Sequence, residues 1–97
     1  MSALTSNGSS RRWIIETGVD FVADEERLVS AYPRLEQVFS ATRRQFEALP
    51  AYNAFDLGAN RYLYVTHVAR DAPPVVFFYE VRPAEGVVLL LGADLNE

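Results

Sequence analysis

Few residues in this chain could carry chemistry. His67 is the lone histidine, and its ordinary pKa of about 6.5 would let it serve as a base or a pH sensor. It stands between Thr66 and Val68 in a strand-like run, with no nucleophile or orienting carboxylate evident beside it. A structural or partly exposed histidine accounts for it better than a catalytic one. Arg61, Arg70 and Arg82 lie on or beside strand-like runs. On a shared surface they would form a small anion site; the plainer account is strand-end charge that keeps sheet edges soluble. Arg61 and His67 are the two weak candidates for catalytic groups. Glu16 and Asp20 are close enough in sequence to suggest a carboxylate pair for acid/base work, although an acidic chain carries such groups as solvated surface.

Other chemistries find no residues. With no cysteine there is no disulfide framework and no thiolate metal site, and one histidine cannot assemble a histidine cluster. Phosphate-cradling glycine loops, a nucleophile elbow and paired metal-ligand spacings are missing as well. No metal and no cofactor is expected. The formal net charge of −4 argues against direct nucleic-acid binding, where cationic side chains supply most of the affinity. All nine basic residues are arginine, a bias that a GC-rich genome explains.

The elements that must position these residues follow from pattern. At 97 residues and 49% apolar, the chain has the size and composition of one small domain that buries a limited share of its surface, so a partner could matter for stability. Residues 1–11 read as a mobile polar tail and residues 12–97 as a single α+β domain. Met1–Ser10 holds no apolar run of signal-peptide length, and Val87–Leu91 is far too short to span a bilayer; no membrane association and a cytoplasmic location are expected. A first strand runs from Trp13 and ends or bulges near Gly18. Asp24 is placed as a helix N-cap, followed by Glu25 and Glu26 at the positive end of the dipole. Leu28, Ala31, Leu35, Val38, Phe39, Phe46 and Leu49 then recur at helical spacing. Pro33 disfavours helix at Tyr32, which predicts a short helix to about Ala31 and a longer one from Pro33 to Ala48.

After a polar connector from Tyr52 to Asn60, strand-like runs at Arg61–Ala69, Val75–Val81 and Val87–Leu91 are joined by short turns. Such turns force antiparallel neighbours and predict a three-stranded meander. By the two-residue period, Val75, Phe77, Tyr79 and Val81 share one face. A second apolar face, with Tyr62, Tyr64 and Phe78 as its candidates, is more than a solvated sheet surface needs and points to a covering partner. The candidate binding residues are therefore Tyr62, Tyr64, Arg70, Phe78 and Arg82.

Several phrases resemble the RelE/ParE superfamily, the toxin components of bacterial toxin–antitoxin modules. Glu26-Arg-Leu-Val-Ser-Ala-Tyr-Pro-Arg-Leu-Glu-Gln-Val is similar to that family's first helix, Tyr-Pro break and second helix. Arg61-Tyr-Leu-Tyr-Val and Val75-Val-Phe-Phe-Tyr-Glu-Val resemble two of its strands, and the likeness spans roughly Trp13 to Asp94. The resemblance implies an N-terminal strand, a helical hairpin and an antiparallel meander, with an antitoxin protein as partner; a homodimer stays open. Ribonuclease members of that family cut messenger RNA on the ribosome with basic residues and often a C-terminal tyrosine, whereas ParE-type members poison DNA gyrase. This chain departs from the first pattern: the positions expected to be basic hold Val76, Ala93 and Asp94, and no tyrosine follows Leu91. Metal-free RNA cleavage needs a base, an acid and cations for the phosphorane charge. Three readings follow: a toxin-like protein acting by binding a protein partner, a ribosome-dependent endoribonuclease with relocated groups such as Arg61 and His67, and a non-toxic binding module of the same fold.

Overall fold

The computed structural model describes residues 12–67 and 72–96. The expected tail, the end of the first meander strand at Val68 and Ala69, and Arg70 lie outside the described residues. Strand β1 (Ile14–Thr17) leads into helices α1 (Val19–Ala31) and α2 (Leu35–Ala48). Strands β2 (Phe55–Gly58), β3 (Arg61–Val65), β4 (Val75–Arg82) and β5 (Val87–Leu95) follow. They form one five-stranded sheet in the order β1-β5-β4-β3-β2. Strand β1 runs parallel to β5, and the other neighbours are antiparallel. The class is α+β, as expected, but the second half supplies four consecutive antiparallel strands rather than three.

The additional strand lies inside the expected connector. Gly58 pairs with Arg61, which leaves Ala59 and Asn60 as a two-residue turn, both at positive φ (55° and 62°). Positive φ at both central residues is the type I′ geometry whose twist matches a hairpin. Ala-Asn lacks the usual glycine signature, so the turn hides in the sequence. Asp56 helps by accepting a hydrogen bond from the Gly58 amide at 2.8 Å.

Helix α1 begins five residues before the expected Asp24 cap. Its N-cap is Gly18, in extended conformation and without a side-chain cap. Two tertiary demands move the start. Phe21 is fully buried and shares a stripe with Leu28, and Asp24 is drawn away from the local backbone: its Oδ2 accepts the Ala93 amide of β5 at 3.1 Å. The break falls at Tyr32 as predicted, and a turn through Pro33 and Arg34 starts α2, with the Leu35 amide on the Tyr32 carbonyl at 2.8 Å.

Both helices lie on one side of the sheet, against the Val75, Phe77, Tyr79, Val81 face of β4. The contact is aromatic. Phe77 lies 5.9 Å from Phe21, 5.1 Å from Phe39 and 5.9 Å from Phe46 between ring centroids, and Phe46 stacks 4.4 Å from Tyr79. Tyr79 is fully buried, and its hydroxyl donates to the Pro50 carbonyl at 2.5 Å, pinning the end of α2 to the sheet. Arg43 forms a two-point ion pair with Glu25 at 2.9 and 2.6 Å, tying α2 to α1.

Two outcomes are expected. Alanine in the left-handed region is strained where glycine is not, so Ala59→Gly raises the unfolding free energy by about 0.5–1 kcal/mol, measured by urea denaturation. Burial, with Tyr62 and Tyr64 adding to it, pushes the Tyr79 phenol above its ordinary value of 10.0. A folded pKa above the unfolded one means its contribution is fully present below pH 10.0 and is lost as pH rises beyond it. The urea midpoint therefore falls above that pH, and Tyr79→Phe shows a shallower fall while losing about 0.5–1.5 kcal/mol at neutral pH with the hydrogen bond.

Candidate functional site

The residues that alternate with the buried face of β4 point away from the helices and define an open face. Cross-strand neighbours share a face, so the register assigns the rest. Leu63 pairs with Phe78, Val65 with Val76 and Arg61 with Glu80; Phe55 joins through Leu63. From β5, Gly92 lies opposite Phe78 and Asp94 opposite Val76. The face thus has an apolar half, built of Phe55, Leu63, Val65, Val76 and Phe78, and a mixed half in which Arg61, Glu80 and Arg82 stand beside Leu89, Val87 and Ile14. Among the described residues both helices lie on the other side.

This register corrects the expected binding surface. Tyr62 pairs with Tyr79 and Tyr64 with Phe77, so both lie on the helix-covered side. Tyr62 stacks on Tyr79 at 5.8 Å, and Tyr64 is buried against Phe46 at 5.5 Å. Their rings are spent on the core, and Phe78 alone of the three faces outward. The absence of a side chain at Gly92 leaves a cavity of about 240 Å³ beside Phe78, lined also by Leu63 and Val76, with Asp24 and Asp94 at its rim. Asp24 stands there because β1 ends at Thr17, opposite Leu90, and the Ala93 amide, left without a strand partner on that side, takes the carboxylate instead. Arg27 bridges the rim, 3.3 Å from Asp24 and 3.9 Å from Asp94.

The two described arginines of the expected anion site do come together, but around an acid. Glu80 lies 3.0 Å from Arg82 and 3.6 Å from Arg61, with Glu85 at 4.0 Å from Arg82. The Glu80 hydrogen bond and charge raise the Arg82 pKa, and Glu16 adds to that field from β1. An anion would have to displace these contacts. His67 sits past the end of β3, exposed at the mouth of a separate cavity of about 230 Å³ with Gln45, Tyr64 and Thr66. Six residues of extended chain separate it from Arg61, or about 20 Å, so the two cannot meet at one phosphate. Glu16 on β1 and Asp20 in the first turn of α1 are both exposed and belong to different elements. Among the described residues no cluster of His, Asp and Glu is placed to hold a metal ion, and no helix is long and apolar enough to cross a membrane.

Sequence reasoning missed two residues that shape this face. Glu80 was readable in principle, since Glu80 and Arg82 are two apart on a strand and so share a side. Asp24 was not, because its partner lies 69 residues away. No protein-family model, curated protein or solved structure matches this chain.

Glu80→Gln removes the acid that holds both arginines. The variant is expected to elute from a heparin column at higher salt than the wild type, with stability lowered by no more than about 1 kcal/mol. Unchanged elution would mean that Glu80 does not mask these cations.

Proposed function

We propose that this chain is a cytoplasmic, RelE/ParE-like toxin component that acts by binding a protein partner through the open face of its sheet, where an antitoxin also docks. The observation that carries the reading is the apolar half of that face, with the cavity at Gly92 beside Phe78. An uncovered apolar sheet surface of this kind marks an interaction site, and a cavity next to an aromatic ring is the form an anchor pocket takes. The element order, a strand, two helices broken at Tyr32-Pro33 and then antiparallel strands, supports the family likeness.

The chemistry favours protein over RNA. Of the positions where the resembling family is basic, Val76 and Asp94 are cross-strand partners at the rim of the cavity, and Ala93 is buried on the helix side. A phosphate placed there would meet Asp94 and Asp24, with Arg27 already engaged by both. An endoribonuclease with relocated groups needs its base and cations at one point, whereas Arg61 is engaged by Glu80 and His67 lies at the other end of β3. A non-toxic binding module of the same fold would use the same surface and differs in what expression does to a host.

Co-expression with the protein encoded by the neighbouring gene tests the reading. A stable complex is expected, and Phe78→Asp should weaken it by at least about tenfold, as loss of an anchor residue does, while the melting temperature stays close to that of the wild type. Expression alone should arrest growth. Absence of a complex, or a complex indifferent to Phe78→Asp, overturns the reading; a complex with normal growth selects the non-toxic module.

A further inference from the structure

The solvent side of α1 breaks the pattern expected of a surface helix. Phe21 and Leu28 take the core side. Val19, Val22 and Ala23 lie on the outward side, Val19 at 86% and Val22 at 41% exposure, and Val29 flanks them. Valine costs helix propensity, up to about 0.7 kcal/mol relative to alanine, and Val19 gains almost nothing from burial in return, whereas Val29 also packs against the core. An apolar residue set against the pattern of a surface helix, without a gain inside the fold, is where a functional surface is to be sought.

The stripe is also acidic and grooved. One groove of about 390 Å³ runs along Val19, Val22 and Glu26, and a second of about 370 Å³ runs along Glu26, Val29 and Glu36. Glu26 lines both, and the two adjoining grooves make up the channel along α1. Among the described residues, Glu26 and Glu36 have no cation within ion-pair distance, whereas Glu25 beside them is held by Arg43. The channel therefore offers an apolar floor with uncompensated carboxylates along it.

We propose that this channel is a second docking surface, whose occupant is a cationic amphipathic helix of a partner protein. The charge complementarity selects the occupant: apolar residues of that helix cover Val19, Val22 and the exposed edge of Val29, and its lysine or arginine heads reach Glu26 and Glu36. An acidic or uncharged helix would leave those carboxylates repelled or partly desolvated without a partner. The surface lies on the layer opposite the open sheet face, so it adds to the binding reading above and does not depend on it.

The probe is a synthetic helical peptide with leucine at helical spacing and lysine elsewhere, titrated into the isotope-labelled chain while backbone amide shifts are followed by NMR. Shifts centred on Val19, Val22, Glu26 and Val29 are expected, with affinity falling as salt rises. The double variant Glu26→Gln, Glu36→Gln should weaken binding by about tenfold and Val22→Asp by at least as much. Both sites are solvent-accessible, and the Gln variant keeps side-chain size should Val22→Asp disturb the helix. Phe78→Asp should bind the peptide as the wild type does, which separates this surface from the sheet face. Shifts confined to the open sheet face, equal binding of a leucine–glutamate peptide, affinity unchanged in the Gln variant, or self-association through α1 in the absence of peptide would each overturn the proposal.

Discussion

Phe77 is the point on which the architecture turns. One strand residue touches Phe21 of α1 and Phe39 and Phe46 of α2, so a single ring joins both helices to the middle of β4. Aromatic rings of this size bury large apolar areas and prefer the edge-on and tilted contacts seen here. Because the rings converge on one side, both helices must pack there. In a chain this short nothing among the described residues remains to cover the other side. The open face is thus a consequence of where the aromatic residues fall.

The open face would be a liability if it were apolar throughout. Glu80 breaks it up by holding Arg61 and Arg82 among Leu89, Val87 and Ile14, leaving Phe55, Leu63, Val65, Val76 and Phe78 as the continuous apolar part. The same carboxylate, with Glu85 beside Arg82, offsets the charge of these cations. Asp24 plays a related part at the far end, where it satisfies the Ala93 amide that β1 is too short to reach. Two acidic residues therefore settle which parts of the sheet stay apolar and what charge the rest presents. Acidic side chains thus stand beside the cations of the sheet and line the grooves along α1.

What the sequence by itself determined is what depends on neighbours along the chain. The helical break at Tyr32-Pro33, the end of the first strand at Gly18, and the buried alternation of Val75, Phe77, Tyr79 and Val81 follow from proline sterics, glycine and the two-residue pleat. Tertiary structure decided whatever depends on residues brought together from far apart. Alternation put Tyr62 and Tyr64 on the side opposite Leu63 and Val65, but only pairing with Tyr79 and Phe77 shows that their side is the core. The strand at Phe55–Gly58 escaped because its turn uses Ala59 and Asn60 at positive φ without the glycine that usually announces it. The start of α1 was misplaced because Asp24, a fitting cap by local rules, is claimed by a backbone amide of the last strand. Local chemistry sets which structures each segment can adopt; long-range pairing chooses which face, edge and partner each residue finally meets.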